Sequence, residues 1–238
     1  MKLTLSPEIN PIGEIARNNY NTIEVFNRYG IDFFCKSKSL LIEACAQANC
    51  NYIEVADEVR KAIGKEILDE NDYNSWSLDR LITHIIDSHH QYVNVHVPEI
   101  RATISALGSA AEMDGFNLRT IVDLFNQLAN DMKQHMQKEE LGLFPAIKKL
   151  ETINALLPGT SVKSLITVVE FEHDTSGIII KQINRLCQNY VTPVNANPEL
   201  ASFFAKLHDF ETDLKMHIHV ENNVLHPKAV ELEQALVN

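Results

Sequence analysis

His217-Ile218-His219-Val220-Glu221-Asn222-Asn223-Val224-Leu225-His226-Pro227, close to the C-terminal end, decides how the whole chain is read. An upstream stretch, His135-Met136-Gln137-Lys138-Glu139-Glu140-Leu141-Gly142-Leu143-Phe144-Pro145, repeats its plan. Both run His-x3-Glu-x5-Pro, with apolar or aromatic side chains shortly before the proline. Residues four apart lie one helical turn apart on one face, so each motif presents an imidazole and a carboxylate side by side. That pair, offered twice from helices, is the donor set of a metal site inside a helix bundle.

The helices before the two motifs carry the matching donors. His90 precedes His135 by 45 residues and His173 precedes His217 by 44 (135 − 90 and 217 − 173). The chain therefore reads as two helical hairpins of one design, each offering His and then His-x3-Glu. Packed together, they would bring four histidines and two glutamates to one interior point. Such a set is too rich for one tetrahedral zinc and suits two metals bridged by the carboxylates. Imidazole with carboxylate fits iron, where oxygen alone would favour magnesium or calcium and thiolate would favour zinc.

Periodicity supplies the helices. Leu78, Leu81, Ile82, Ile85 and Ile86 follow helical spacing, and the pattern continues to Leu107, where Gly108 stops it. Asn117 is a fair cap for a second helix running to about Leu150. Leu157-Pro158-Gly159 breaks the chain, and Thr160 or Ser161 opens a third helix ending near Tyr190. Asn197-Pro198-Glu199 opens the fourth with a cap, a first-turn proline and an acid. Four long helices joined by short links predict an all-α, up-down four-helix bundle over residues 77–238. Ahead of it, residues 1–65 predict a small domain of three short helices. The first is capped by Asn21 or Thr22 and closed by Gly30, the second spans Ser39 to Ala48, and the third starts at Asn51. Residues 64–75 read as the linker.

Composition excludes several partners. With 21 Lys and Arg against 32 Asp and Glu, the net charge is −11, which argues against nucleic acid or an anionic membrane surface. No run approaches the ~18 apolar residues of a spanning helix, and no leader of signal-peptide length opens the chain, so a cytoplasmic protein is expected. Cys35, Cys45, Cys50 and Cys187 form no CxxC pair, and free, mostly buried thiols are the expectation.

Among the other histidines, His84 and His89 fall on other faces than His90. His96, His208 and His219 are expected in solvent, and His226 on the buried side beside Pro227. Asp131, one turn before His135, and Glu172, adjacent to His173, are candidates for orienting ligands or relaying protons. Glu140 and Glu170 are expected to face solvent.

At these residues the sequence resembles the di-iron iron-sulfur cluster repair proteins (the RIC family), with a hemerythrin-like bundle. The resemblance lies in His84-Ile85-Ile86 with His90, in Glu170-Phe171-Glu172-His173-Asp174, in His135 to Glu140 and in Glu221 to Leu225. Phe26-Asn27-Arg28-Tyr29-Gly30-Ile31-Asp32-Phe33 extends it to the small domain, so it covers essentially the whole chain. It implies His90, His135, His173 and His217 as terminal ligands of two iron ions, Glu139 and Glu221 as bridges, and an oxo or hydroxo group between the metals. It also implies repair of iron-sulfur clusters damaged by nitric oxide or peroxide, by supplying iron or by reacting with nitric oxide at the di-iron centre. Damaged iron-sulfur proteins, nitric oxide and oxygen are the partners this suggests, together with pairing of two chains.

One departure stands out. The family's Cys-Cys-Gly-Gly run is here Phe34-Cys35-Lys36-Ser37, which leaves Cys35 as a single candidate thiol. The competing function is a hemerythrin-like carrier or sensor of oxygen, nitric oxide or iron. Oxygen carriers use five histidines and two carboxylates, so the count here favours repair. A ferritin-like oxidase would need Glu-x-x-His pairs and more carboxylates, which are absent.

Overall fold

The computed structural model describes residues 5–66, 72–107, 117–155, 159, 161–194 and 196–236. The expected stops at Gly108, Leu157 and Pro158, the start at Thr160 and the middle of the linker fall outside them. Among the described residues the chain is all-α, the one extended pairing being an isolated bridge between Pro11 and Leu40. No described helix is long and apolar enough to cross a membrane.

The short helices are α1 (Ile12–Asn18), α2 (Asn21–Arg28), α3 (Leu41–Ala48) and α4 (Tyr52–Ile63). Four long helical runs follow. The first joins α5 (Leu78–His84), a π-helical turn π1 (Ile85–His90) and α6 (Gln91–Leu107). The second joins α7 (Leu118–Lys138), π2 (Glu139–Leu143) and α8 (Phe144–Ile153). The third is α9 (Val162–Leu186), and the fourth joins α10 (Pro198–Val220), π3 (Glu221–Leu225) and α11 (His226–Ala235).

Two of the three π-turns have a cause in the sequence. Pro145 and Pro227 are the second residues of α8 and α11. Proline has no N–H for the carbonyl four residues back, and its ring crowds that carbonyl, so the ladder must widen there. The affected carbonyls belong to Leu141 and Asn223, inside π2 and π3. No proline accounts for π1.

Two compact units emerge, residues 1–81 with 218–238, and residues 82–217. The first has an aromatic centre in which Phe26 stacks on Phe33 at 5.9 Å and Phe33 meets Phe34 edge-on at 5.6 Å. Ile12, Ile15, Leu41, Val55 and Val59 are fully buried in the same unit. The Lys228 ammonium of α11 donates to the carbonyls of Asn74 (3.0 Å) and Trp76 (2.5 Å), and Arg80 lies 3.9 Å over the Trp76 ring.

Four short helices stand where three were expected, because α1 was missed. Its Gly13 is a poor helix former, but a Cβ there would sit 2.4 Å from the Ser37 Cβ and 2.7 Å from Asn223 Oδ1. Close approach selects glycine against helical propensity. The α2 cap also moves: Asn19 accepts from the Asn21 amide through Oδ1 and from Thr22 through its carbonyl. Gly30 takes a left-handed φ of 67°, as expected at the helix end, and the Asn51 side chain caps α4.

The unit formed by residues 82–217 contains α6, α7, α9 and most of α10, with Ile121, Phe125, Leu128, Ile180, Phe203, Phe204 and Leu207 wholly buried. Phe125 and Phe210 meet edge-on at 5.6 Å. Helix α9 ends at Leu186 instead of near Tyr190, and Gln188, Asn189 and Tyr190 all take left-handed φ values of 50–60°. Three consecutive non-glycine residues in that region cost roughly 1 kcal/mol or more each. Buried Glu211 gathers the groups that hold the turn. It accepts from the Tyr190 hydroxyl (2.5 Å), Asn184 Nδ2 (2.9 Å) and the Lys215 ammonium (2.5 Å).

Glu211→Ala strands this buried network and should lower stability by about 3 kcal/mol, a fall of roughly 6–12 °C in thermal midpoint followed by circular dichroism. Gly13→Ala, which at an exposed helical site would gain about 1 kcal/mol, should instead lower the midpoint, because the added methyl collides with Ser37.

Candidate metal centre

Helices α7 and α9, with π1 and π2, converge on one buried carboxylate. Glu139 opens π2 with none of its surface exposed. Its Oε2 lies 3.3 Å from Nε2 of His90, the last residue of π1, and its Oε1 lies 3.2 Å from Nε2 of His135, one turn back on α7. One carboxylate is thus straddled by two imidazoles, one per oxygen. His173, central in α9, brings its Nε2 to 2.9 Å from that of His135. His217 lies edge-on to His90 at 5.1 Å and to His135 and His173 at 6.2 Å each, between ring centres. The ligating atoms of His90, Glu139 and His217 fall within 4.8 Å of one another, and so do those of His135, Glu139 and His173.

Each straddling imidazole is held from behind. His90 Nδ1 is 2.8 Å from Glu140 Oε1, and His135 Nδ1 is 3.0 Å from Glu172 Oε2. An ionised carboxylate only accepts, so each Nδ1 carries the hydrogen and each Nε2 turns its lone pair inward. His135 Nε2 then turns a lone pair, not a hydrogen, toward a carboxylate oxygen at 3.2 Å, with the His173 nitrogen 2.9 Å away. Converging acceptors at these separations are what a cation brings together, and the carboxylate–histidine pairs are the usual support of such ligands. Burial pushes the Glu172 carboxyl up, but the Lys138 ammonium and His135 outweigh it and hold it below its ordinary range, so it is charged at neutral pH.

The remaining sequence candidates sit as follows. Glu221 opens π3 one turn after His217 on the same helical run, with no exposed surface. Asp131 is exposed and lines a cleft of about 160 Å³ beside His135, with Gln134, Lys138, Glu172, Thr175 and Ser176. Cys35 lies in the first unit, half-buried, with its amide donating to Asp32 Oδ1 at 2.9 Å. The thiol beside Cys45 is Cys50, across the left-handed Asn49 that closes α3. The Cys50 amide donates to the Cys45 carbonyl at 3.0 Å, and burial, then Cys50, pushes the Cys45 thiol up to about 12.

The profile of the Hemerythrin HHE cation binding domain matches residues 81–229, well over half of the chain. The chain belongs to the hemerythrin HHE family. A second profile, ScdA_N, described as a domain of unknown function (DUF542), matches residues 9–63. Relatives named iron-sulfur cluster repair protein YtfE, from Pectobacterium carotovorum and Escherichia coli, are 28% identical over 219 and 220 residues, covering 92% of this chain and 96% of each relative. A Haemophilus influenzae protein named probable iron-sulfur cluster repair protein is 28% identical over 221 residues with the same coverage.

In this hemerythrin-family chain two polar groups escaped the sequence. Glu140 was expected in solvent, and although 42% of its side chain is exposed it holds His90. His219 was also expected in solvent but is buried, its pKa pulled down to about 3 by burial, so that its neutral Nδ1 accepts from Asn223 Nδ2 at 2.9 Å. His89, read as pointing away, is buried as well. It points away from His90 as read, lying 2.8 Å from Asp213 and stacking on His217 at 5.5 Å. His226 is buried at the start of α11, whereas His96 is half-buried and His208 exposed.

Glu172→Ala and Glu140→Ala should each weaken metal affinity by about 10- to 100-fold, measured by competition against a chromogenic chelator, while leaving the helical circular dichroism intact.

Proposed function

We propose that this chain holds two iron ions and serves in the repair of iron-sulfur clusters damaged by oxidative or nitrosative stress. The observation that carries the reading is Glu139, each of whose oxygens faces a different histidine, as a carboxylate bridging two metals must. His90 and His217 would serve one ion and His135 and His173 the other. Glu221 would supply the second bridge, since its place one turn after His217 puts both side chains on one helix face. Nitrogen and carboxylate donors together favour iron over magnesium or calcium. The names of the relatives, which match this chain nearly end to end, carry the reading from metal binding to repair.

When bound, the two irons would supply redox and nitric oxide chemistry, or themselves be the cargo handed to a damaged cluster. The chain's own residues have narrower tasks. Glu140 and Glu172 would keep the histidine lone pairs aimed inward, and the Lys138–Glu172 pair would border the cleft through which a small molecule reaches His135. Asp131, on the same cleft, is suited to moving protons at its mouth. Damaged iron-sulfur proteins are the proposed partners, with nitric oxide or oxygen as small ligands. Four free cysteines suit the reducing cytoplasm.

Purified protein should carry about two irons per chain, by the donor count above, with a visible absorption lost on iron removal. His135→Ala or His217→Ala should reduce the iron, and one zinc per chain without visible absorption would overturn the di-iron reading. Iron-loaded protein should reactivate a damaged iron-sulfur enzyme in vitro, and a Glu139→Ala, Glu221→Ala double variant should not.

A further inference from the structure

In the first unit, the loop bearing Cys35 is fastened to the turn that begins with Glu221. Asn223, 7% exposed, uses Nδ2 twice: it donates to the Phe33 carbonyl at 3.0 Å and lies 2.9 Å from His219 Nδ1. Its neighbour Asn222 donates to the Phe34 carbonyl at 3.3 Å. The Phe33 ring meets His219 edge-on at 5.3 Å. On the far side of Cys35, the Ser37 carbonyl accepts from the Gly13 amide at 2.8 Å, and the missing Cβ of Gly13 is what leaves room for both Ser37 and Asn223 Oδ1.

A purely structural clamp could grip any part of the loop. This one takes the two peptide carbonyls immediately before Cys35, with the two side chains immediately after Glu221. Both asparagines belong to π3, a single wide turn inserted in a helix, of the kind that recurs at functional sites.

We propose that Asn222 and Asn223 are positioning residues: by gripping the Phe33 and Phe34 carbonyls they fix the π3 turn, and with it the direction of the Glu221 carboxylate, so that the Cys35 loop and the metal centre bias one another. The proposal rests on the reading of Glu221 as an iron ligand. Because coupling between two sites is reciprocal, it has two readouts. The loop contacts tune how firmly iron is held, and iron loading tunes how readily the Cys35 thiol is reached.

The experiment compares full-length wild type, Asn223→Asp, which keeps the shape and loses the donor, Asn222→Ala, and Val59→Ala. Val59 is fully buried on α4 of the same unit, so its variant controls for general destabilisation. Iron content, the visible spectrum, the rate of iron loss to a chelator, and iodoacetamide alkylation of Cys35 followed by peptide mapping are measured with and without iron. Expected in Asn223→Asp are iron loss about tenfold faster than in wild type, a shifted visible spectrum, and loss of the slowing of Cys35 alkylation that iron produces in wild type. Asn222→Ala should show a weaker version of the same changes, and Val59→Ala none of them. Wild-type protein that takes up no iron overturns the reading of the site, and the coupling with it. Iron held normally by wild type but released equally fast, with an unchanged spectrum, in both asparagine variants overturns the coupling alone. So does Val59→Ala reproducing their effects.

Discussion

A fully buried carboxylate between two imidazoles governs this structure. Glu139 cannot be tolerated in a protein interior without compensation, since an isolated buried charge costs far more than a helix packing contact returns. The compensation is built outward in layers. His90 and His135 face its two oxygens, and Glu140 and Glu172 hold those imidazoles from behind. Lys138 pairs with Glu172 at the surface. Each layer fixes the rotamer of the one inside it, and donors from four helical runs meet within a few ångströms.

The helices meet this demand at some expense to their own regularity. π2 begins at Glu139, π3 at Glu221, and π1 ends at His90. In two cases a proline six residues beyond the glutamate removes a ladder donor and makes the wide turn the relaxed choice. The proline in each His-x3-Glu-x5-Pro motif thus has a physical task, widening the helix where a carboxylate must turn inward. In π3 the same widening offers two consecutive asparagines to the loop before Cys35.

Much of this was legible because local rules dominate it. The His135–Glu139 spacing needs only the pitch of a helix, and the 45- and 44-residue offsets to His90 and His173 need only that hairpins repeat. Features that depend on who stands opposite were not legible. Glu140 reads as a surface acid because nothing in its neighbourhood of the sequence announces His90, fifty residues away. Gly13 reads as a helix breaker until Ser37 and Asn223 are seen pressing on it. His89 was read as pointing away from His90, but nothing near it in the sequence announces Asp213, 124 residues away.

By itself, then, the sequence determined the all-α class, the four long helices and the repeated His, His-x3-Glu pattern, because periodicity, capping and spacing act within one turn of the chain. Only the tertiary structure decided which oxygen of Glu139 faces His90, which acids stand behind the histidines, and that Asn222 and Asn223 hold the carbonyls before Cys35. Those pairings form between residues far apart in sequence, where packing and the burial of charge choose partners that no local pattern encodes.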